Sequence, residues 1–375
     1  MPRARWGWRV GVGVLCVTLM AALSPAMPAR TATVCILYLS PTGSDANSGT
    51  SVTSPLKTLA GAQARIQQLR PQVDVEIRIK QGTYVAPQLT WNTYVQGHTI
   101  SFMPVDYQPG DSASDIAGRP IFHGDGTSGR WLLAKSPTGT WIGGTNLRFY
   151  YLQVEHYDIG GLGLGGSIGA SHVCLPSGIC HILHFPTGTA VNNNTVYGMN
   201  FFNIGTRYVS GLTDFGTEAI LVQNSSGNLI RNNHFMNLVN DGHLGEIHGL
   251  YVAHYSNHNT IVANDFRSIS GDPVRIRNYS NDNVAEDNTF DHTGRSAFYS
   301  DWFCDDACLQ AHPDHSAECG SHGNIFRNND TGGKIGFKGS RISLFQYFPP
   351  EEDGVGPLPF CSTQGEPRLS TAGNT

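Results

Sequence analysis

The sequence has few charged residues, which make up only 14% of its 375 positions, and its net charge of −5 leaves no basic excess. Binding to nucleic-acid phosphates needs clustered Lys and Arg, so the composition argues against a nucleic-acid partner. Beyond the first thirty residues there is no apolar run of about 20 residues, the length that a membrane-spanning helix needs. The scarcity of charge and the 44 glycines together indicate many turns and few helices.

The first thirty residues have the pattern of an export signal. Arginines at positions 3, 5 and 9 form a basic start, and an apolar run over residues 10–23 is followed by small residues suited to cleavage. A membrane anchor is the alternative, but this run is shorter than a spanning helix requires. We therefore expect residues 1–30 to be removed and the mature protein to be extracellular, without membrane contact.

The eight cysteines fit an oxidising compartment, where most thiols pair. Cys16 leaves with the predicted signal. Cys174 and Cys180 are close enough in sequence to close a short loop, and four more can supply two further bridges: Cys304, Cys308, Cys319 and Cys361. Cys35 is then left over, or paired with a partner that the sequence does not identify.

A short phrase, Asn-x-apolar-x-x-Asn-x-Phe, recurs through the second half of the chain. Its first asparagines are Asn228, Asn259 and Asn283, and residues 194–201 and 324–329 carry incomplete copies. The copies at Asn259 and Asn283 lie 24 residues apart. A repeat this short cannot bury its apolar face alone, so successive copies must stack. Short β-branched runs between polar turns favour a parallel β-solenoid over a helical repeat.

The asparagines at one register of the repeat predict a stacked ladder at a turn. Asn tolerates left-handed backbone, and its amide can bond to the coils above and below. The alternative is an Asn-rich β-sandwich with chance similarity between segments. We expect the solenoid to span residues 31–345 and a C-terminal tail to occupy residues 346–375.

The segment Tyr38–Leu69 resembles the opening of a known family. The matching residues are Ser40, Gly43, Ser44, Asp45, Gly49, Thr50, Pro55, Leu56, Thr58 and Leu59, and Gly82-Thr-Tyr84 fits the family's next strand. The resemblance is to the secreted right-handed parallel β-helix proteins of the pectate-lyase-like superfamily. It implies an all-β fold with a short N-terminal capping helix, and the apolar spacing from Leu59 to Ile66 independently predicts such a helix, ending before Pro71.

Many proteins with this fold act on or bind glycans, so the resemblance implies a polysaccharide partner. The chain has no Asp-Pro-His-Asp run of the alginate epimerase type and no clear cluster of calcium-binding aspartates of the pectate lyase type. The polysaccharide, the reaction and any calcium requirement therefore stay open. A capped solenoid has no exposed sheet edge, so a monomer is expected.

Aligning the coils on their first asparagine predicts which residues face outward, because alternate residues of a strand point to opposite sides. The predicted inward pairs are Ala219 and Leu221, Leu250 and Val252, and Val274 and Ile276. The predicted outward columns are Ile220, Tyr251 and Arg275, then Val222, Ala253 and Arg277. His248 stacks with Asp272 just before them, Arg295 joins that row, Phe298 lies beside Arg275, and Asp301 and Trp302 follow at the strand end.

This mixture of side chains suits an acidic polysaccharide. Arg binds a uronate carboxylate through paired hydrogen bonds, which makes the neighbouring C5 proton more acidic. We expect Tyr251 or His248 to act as base and acid in a β-elimination, with Arg275 and Arg277 holding the carboxylate. The predicted substrate-binding residues are Asp272, His254, Phe298, Asp301 and Trp302.

Other interpretations remain open. A glycoside hydrolase needs two carboxylates, for which Asp272, Asp301, Glu246 and Asp241 are candidates. A non-catalytic glycan-binding solenoid is a third class, in which Tyr251 only packs and the arginines pair with Asp272 or Glu286. The insertion Cys304-x3-Cys308-x3-His312-x2-His315-x3-Cys319-x2-His322 has zinc-ligand residue types, but in an exported chain we expect a disulfide-tied loop and no metal.

Overall fold

The computed structural model describes residues 34–174, 180–209, 216–304, 308–309, 315–348, 361 and 369–375. The predicted signal peptide lies outside the described residues, as do His312 and much of the predicted tail. The division into residues 1–30, 31–345 and 346–375 therefore stays a prediction. None of the described helices is long and apolar enough to cross a membrane.

Parallel pairing builds the fold from three long sheets, each of which takes one strand from most coils. The ten-stranded sheet contains Cys35–Leu39, Val75–Ile79, Ile100–Pro104, Leu147–Tyr150, Thr195–Tyr197, Leu229–Arg231, Thr260–Val262, Val284–Glu286, Ile325–Arg327 and Ser370–Ala372. The eight-stranded sheet contains Leu89–Trp91, Arg130–Lys135, Gly160–Gly165, Glu218–Gln223, His248–Ala253, Val274–Arg277, Ala297–Trp302 and Ser343–Phe348. The seven-stranded sheet contains Gly82–Val85, Pro120–His123, Gln153–Glu155, Asn200–Ile204, His234–Leu238, Asp265–Ile269 and Thr289–Asp291. This arrangement confirms the predicted parallel β-helix.

Three further elements lie outside the three long sheets. An antiparallel hairpin, Ile168–Cys174 with Cys180–Pro186, projects between two coils. The α-helix Leu59–Leu69 covers the N-terminal end, as predicted, and buries Leu59, Ala62 and Ile66 in the core. A short 3-10 helix spans Ala113–Asp115.

The interior is a stack of apolar side chains in register. Phe201, Phe235, Phe266 and Phe290 are fully buried and form a column with ring centroids 4.7 to 5.3 Å apart. This spacing matches the distance between neighbouring strands, about 4.8 Å. The Phe of the repeated phrase therefore sets one rung of the core in each coil.

Two asparagine ladders run along the solenoid, which confirms the prediction from the repeat. In the first, Asn228 donates from its backbone N and from Nδ2 to Oδ1 of Asn259, at 3.0 and 2.7 Å. Asn259 bonds to Asn283 in the same way, and Asn283 to Asn324. The second ladder contains Asn233, Asn264, Asn288, Asn329 and Asn374. Each asparagine satisfies buried polar groups of the preceding coil, so each needs another asparagine at the same position in the following coil to satisfy its own.

The backbone conformation of the ladder differs from the prediction. The left-handed residue is the one before each ladder asparagine: Asn193, Gly227, His258, Asp282 and Gly323 all have φ between 55° and 68°. The ladder asparagine itself must keep its N–H directed at the next coil, so the turn is made one residue earlier.

Three disulfides tie the described residues together. They join Cys174 with Cys180, Cys304 with Cys308, and Cys319 with Cys361. Cys35 is a free cysteine among the described residues. The Cys174–Cys180 bridge was predicted, and the structure supplies the pairing of the other four cysteines, which the sequence left open. The three bridges are consistent with an oxidising compartment.

Candidate active site

The outward face of the eight-stranded sheet carries three rows of side chains across neighbouring coils. Strand register places Leu221, Tyr251, Arg275 and Ser300 in one row. Gln223, Ala253, Arg277 and Trp302 form the next row. Arg130, Gly160, Glu218 and His248 lie in the row before them.

The prediction for the strand Glu218–Gln223 was wrong by one residue. Ile220 and Val222, expected outside, are fully buried and pair with Leu250 and Val252. The cause is the turn that follows: His254 and Tyr255 are both left-handed, whereas the shorter turn has Asn224 alone in that conformation. A turn with one residue fewer reverses the inside and outside of its strand when the alignment is anchored on the asparagine.

These rows form the floor of a groove of about 770 Å³. Its lining is rich in ionisable and aromatic groups: Arg130, Glu218, Glu246, His248, Tyr251, Asp272, Arg275, Arg277, Arg295, Trp302 and His315. Four arginines line the groove beside three carboxylates, so a site for an anionic ligand depends on an arginine that is not already paired. Of the nine predicted site residues, the groove brings together His248, Tyr251, Asp272, Arg275, Arg277 and Trp302.

His248 is buried at the groove floor, and its tautomer is set by the backbone. Nδ1 lies 2.6 Å from the carbonyl oxygen of Asp272. Because that oxygen only accepts, Nδ1 carries the hydrogen, and Nε2 keeps its lone pair. Burial and the neighbouring Arg275 lower the pKa of His248 to about 3, so the ring is neutral at ordinary pH.

Tyr251 stacks on His248, with ring centroids 5.6 Å apart and an interplanar angle of 11°. Its phenol oxygen accepts a 2.7 Å hydrogen bond from Nη1 of Arg277, which directs its own proton elsewhere. Arg277 also donates from Nε to both carboxylate oxygens of Glu318, at 2.7 Å, and lies 3.9 Å over the ring of Trp302. Arg277 is thus fully engaged within the protein and holds the tyrosine in place.

Glu318 was not predicted as a site residue because it lies far along the chain, in the cysteine-rich insertion. Its side chain is 1% exposed. The backbone N–H of Glu318 bonds to the carbonyl of Cys304 at 2.9 Å, and the next residue is bridged to Cys361. No local pattern relates this glutamate to Arg277, but the disulfides that anchor its loop were visible in the sequence.

Asp272 organises the end of the next coil. Its Oδ1 accepts from the backbone N–H groups of Arg295, Ser296 and Ala297, at 2.9 to 3.2 Å. Its Oδ2 accepts from Nη2 of Arg275 at 3.3 Å. Burial alone would raise the pKa of this carboxyl, but Arg275 and the backbone N–H groups outweigh burial and hold the pKa below its usual value. Asp272 is therefore a buried carboxylate that positions Arg275, whose Nε also donates to Ser300 Oγ at 2.7 Å.

A second buried ion pair, also unexpected, closes the other end of the groove. Arg130 Nη1 reaches Glu218 Oε1 at 2.6 Å by crossing over Gly160, which lies between them in the sheet. A Cβ on Gly160 would lie 2.9 Å from that carboxylate oxygen, so only glycine leaves room. Gly160 belongs to the strand Gly160–Gly165, and its missing side chain makes this crossing possible.

Arg295 differs from the other groove arginines. It is exposed at the rim, and within the part of the chain that the structure describes it forms no ion pair. Its guanidinium lies over the backbone of Gly245, where a Cβ would come within 2.4 Å of Nη1. It lines the groove as an arginine without an ion-pair partner among the described residues.

Three predicted substrate-binding residues do not lie on the outward face. Phe298 is fully buried against Phe290, because Ser300 rather than Phe298 pairs with Arg275. Asp301 is 1% exposed and accepts hydrogen bonds from Ser321, and burial raises its pKa well above the usual value. His254 lies in the turn after its strand, where it contacts Asn278 rather than lining the groove.

The other predicted carboxylates are also accounted for. Asp241 pairs with Arg207, and Glu286 with Arg327, both away from the groove. Glu246 is exposed and lines it. In the insertion, Cys304 and Cys308 are joined to each other, and His315 Nδ1 lies 3.8 to 3.9 Å from the two sulfurs. A disulfide, and not a pair of thiolates, therefore faces this histidine, in agreement with the predicted disulfide-tied loop.

Comparison with known proteins gives similar folds at low identity. No family model matches the chain, and no curated protein matches it in sequence. An alginate lyase from Paenibacillus sp. strain FPU-7 is similar over 84% of this chain and 92% of its own, at 13% identity and a TM-score of 0.47. A glycoside hydrolase is similar over 90% of this chain and 96% of its own, at 9% identity and a TM-score of 0.45. A rhamnogalacturonan lyase is similar over 91% of this chain and 87% of its own, at 12% identity and a TM-score of 0.37. Similarities at this level assign no activity to the chain, so function has to be derived from the groove itself.

Proposed function

We propose that the protein is a secreted carbohydrate-active enzyme that cleaves a uronate-containing polysaccharide by β-elimination in the groove of the eight-stranded sheet. The observation that carries the proposal is the pairing of a neutral histidine with a tyrosine whose phenol oxygen is held by an arginine. His248 supplies a lone pair and Tyr251 a proton, side by side in a groove that arginines line. Such a pair is what an elimination needs on the two ends of a C5–C4 bond.

The substrate carboxylate would bind between Arg275 and Arg295. Both guanidinium groups line the groove, and Arg295 has no carboxylate partner among the described residues. Pairing with arginine withdraws charge from the carboxylate and stabilises the enolate that forms when the C5 proton leaves. Arg277 is already held by Glu318 and Tyr251, so its part is to orient the tyrosine.

Nε2 of His248 would take the C5 proton. The low pKa of His248 comes first from burial and next from the charge of Arg275, and a bound uronate carboxylate would offset the second cause. The histidine would thus become a better base when the substrate is in place. Its ring cannot turn away, because Nδ1–H is bonded to the carbonyl of Asp272.

Tyr251 would give its proton to O4, the leaving oxygen. The negative charge that develops on the phenol oxygen faces Nη1 of Arg277 at 2.7 Å. The products are a new reducing end and a sugar with a C4–C5 double bond, so atoms and protons balance without an added reactant. Trp302, which follows Arg277 in its row, offers aromatic surface for a neighbouring sugar.

A parallel assay tests this proposal. The purified protein is screened against pectin, alginate, glycosaminoglycans and neutral glycans, with and without calcium, while ultraviolet absorbance of unsaturated uronate and new reducing ends are followed together. A rise of both signals on an acidic glycan is expected. Reducing ends without absorbance would overturn the elimination and favour hydrolysis by the groove carboxylates, and binding with neither signal would favour a recognition surface.

A further inference from the structure

A cluster of two histidines and one glutamate lies outside the groove, on the seven-stranded sheet. His123 ends the strand Pro120–His123, and Glu155 ends the neighbouring strand Gln153–Glu155. The two residues are register partners on consecutive coils, and His156 follows directly in the turn. The three side chains are half-exposed, so solvent reaches them.

The ligand atoms of this cluster are spaced as a metal ion requires. Glu155 Oε1 lies 3.0 Å from Nδ1 of His123 and 3.8 Å from Nδ1 of His156. Zinc bonds of about 2.0 to 2.2 Å in tetrahedral geometry place neighbouring ligand atoms roughly 3.3 Å apart. The two observed distances lie on either side of that value, and all the ligand atoms lie within 4.8 Å of one another.

His123 Nδ1 and Glu155 Oε1 form a hydrogen-bonded pair, but one polar atom of the cluster lacks a partner. Nδ1 of His156 is buried and has no hydrogen-bond partner among the described residues. A buried polar atom of this kind is uncommon and needs an explanation, such as an ion. Gln153 Nε2 donates to the other oxygen of Glu155 at 2.6 Å and so fixes the carboxylate, the support that metal-binding carboxylates usually have.

The position of His156 in the turn is also informative. In the following coils the equivalent left-handed position is occupied by Asn203, Asn237 and Ser268. Asn203 and Asn237 bond to each other through their side chains at 3.1 Å, so the turn itself is served by asparagine. His292, directly after the strand Thr289–Asp291, also occupies this position, so an imidazole in the turn is not unique to His156. At His156 the ring lies 4.4 Å from that of His123 on the neighbouring coil, which brings two imidazoles together.

We propose that His123, Glu155 and His156 bind a divalent transition metal ion of the Zn²⁺ class, which joins two consecutive coils of the solenoid. Imidazole nitrogen with one carboxylate oxygen is a donor set that zinc and its neighbours accept readily. Because the cluster is open to solvent, water completes the coordination. The site is independent of the groove and of the reaction proposed there.

Metal titration of the full chain tests the site. The protein, with its disulfides intact and stripped with chelator, is titrated calorimetrically with Zn²⁺, and Co²⁺ is used as a spectroscopic probe of the ligands. One ion per chain is expected, with a rise in Tm on binding. His156→Asn keeps a residue suited to the left-handed turn and removes the imidazole, and we expect it to weaken binding by about 100-fold or more.

Two controls and one second variant make the result decisive. Glu155→Gln preserves the side-chain shape and should weaken binding at least about 10-fold. His234→Ala removes a histidine that pairs with Asp265 on the same sheet, and His315→Ala removes the histidine beside the Cys304–Cys308 bridge. Both controls should bind normally. No stoichiometric binding, binding unchanged in His156→Asn and Glu155→Gln, or binding lost only in His315→Ala would each overturn the proposal.

Discussion

The same coils build two regions, the buried asparagine ladders and the groove face, that differ in whether their residues repeat from coil to coil. Along the asparagine ladders each coil repeats one residue, and each Asn satisfies its neighbour through the same pair of hydrogen bonds. On the groove face, the row from Leu221 to Ser300 changes at every coil, from leucine to tyrosine to arginine to serine. Repetition stabilises the solenoid because identical groups can pair indefinitely, whereas a reacting site needs different groups at neighbouring positions.

The largest effect that distinguishes the groove from the ladders is expected from Tyr251→Phe, which should lower activity without lowering stability. The change removes the proton donor and leaves the packing on His248, so cleavage should fall by about 10³-fold while Tm stays within a degree or two. Initial rates of double-bond formation and thermal unfolding of the same sample check this. Activity within a few fold of the wild type would remove Tyr251 from the reaction.

The ladder should show the reverse behaviour. Asn259→Ala deletes the oxygen that accepts from two nitrogens of Asn228 and the amide that bonds to Asn283 and to the carbonyl of Ser225. Several buried groups lose their partners, so the free energy of unfolding should fall by about 3 to 5 kcal/mol.

Denaturant unfolding measures this change, and Asn92→Ala, at an exposed asparagine, serves as the matched control, with an expected change below about 0.5 kcal/mol. The fraction of Asn259→Ala that stays folded should keep its activity per molecule. Equal losses in the two variants would mean that the ladder contributes nothing beyond an ordinary surface amide.

The ladders and the groove also differ in how far the sequence predicts them. The ladders and the phenylalanine column follow from a phrase that recurs in register, because a stack of like residues needs only correct spacing. The groove depends on details that spacing does not encode. The turn after Gln223 has one left-handed residue fewer, so Ile220 and Val222 point inward although they were predicted to point outward. The contacts Arg277–Glu318 and Arg130–Glu218 join residues that are 41 and 88 positions apart in the sequence.

The positions of the predicted site residues, some on the groove face and some in the core, have the same explanation. His248, Tyr251, Arg275 and Arg277 come from the two coils of 24 residues whose turns are alike, so their alignment held. Phe298 and Asp301 come from the next coil, where the register with Val274–Arg277 shifts to 25 residues. The prediction placed Phe298 beside Arg275, an offset of 23 residues, and so misplaced it by two residues; its ring lies in the core instead.

A smaller effect on the groove is expected from Glu318→Gln. The amide retains the size of the side chain but leaves the Arg277 charge without its buried partner, so Tyr251 is held less well. We expect kcat to fall by roughly 10- to 100-fold with KM little changed, a split that loss of substrate binding would not give. Glu286→Gln, which alters an arginine pair on the ten-stranded sheet, should leave both constants unchanged.

The gentlest test uses pH rather than substitution alone. The pKa of His248 is about 3 in the folded protein against the usual 6.5 of a histidine, and burial also lowers the pKa of His254 to about 3. Between these pH values the unfolded chain binds protons that the folded chain does not, so stability is full above about pH 6.5 and falls as the pH drops towards 3. Each histidine contributes up to about 1.4 kcal/mol per pH unit to this slope. Denaturant unfolding of His248→Gln at several pH values should show a slope reduced by one histidine, whereas Asn259→Ala should lower stability equally at every pH; an unchanged slope in His248→Gln would mean that this ring is not held neutral in the fold.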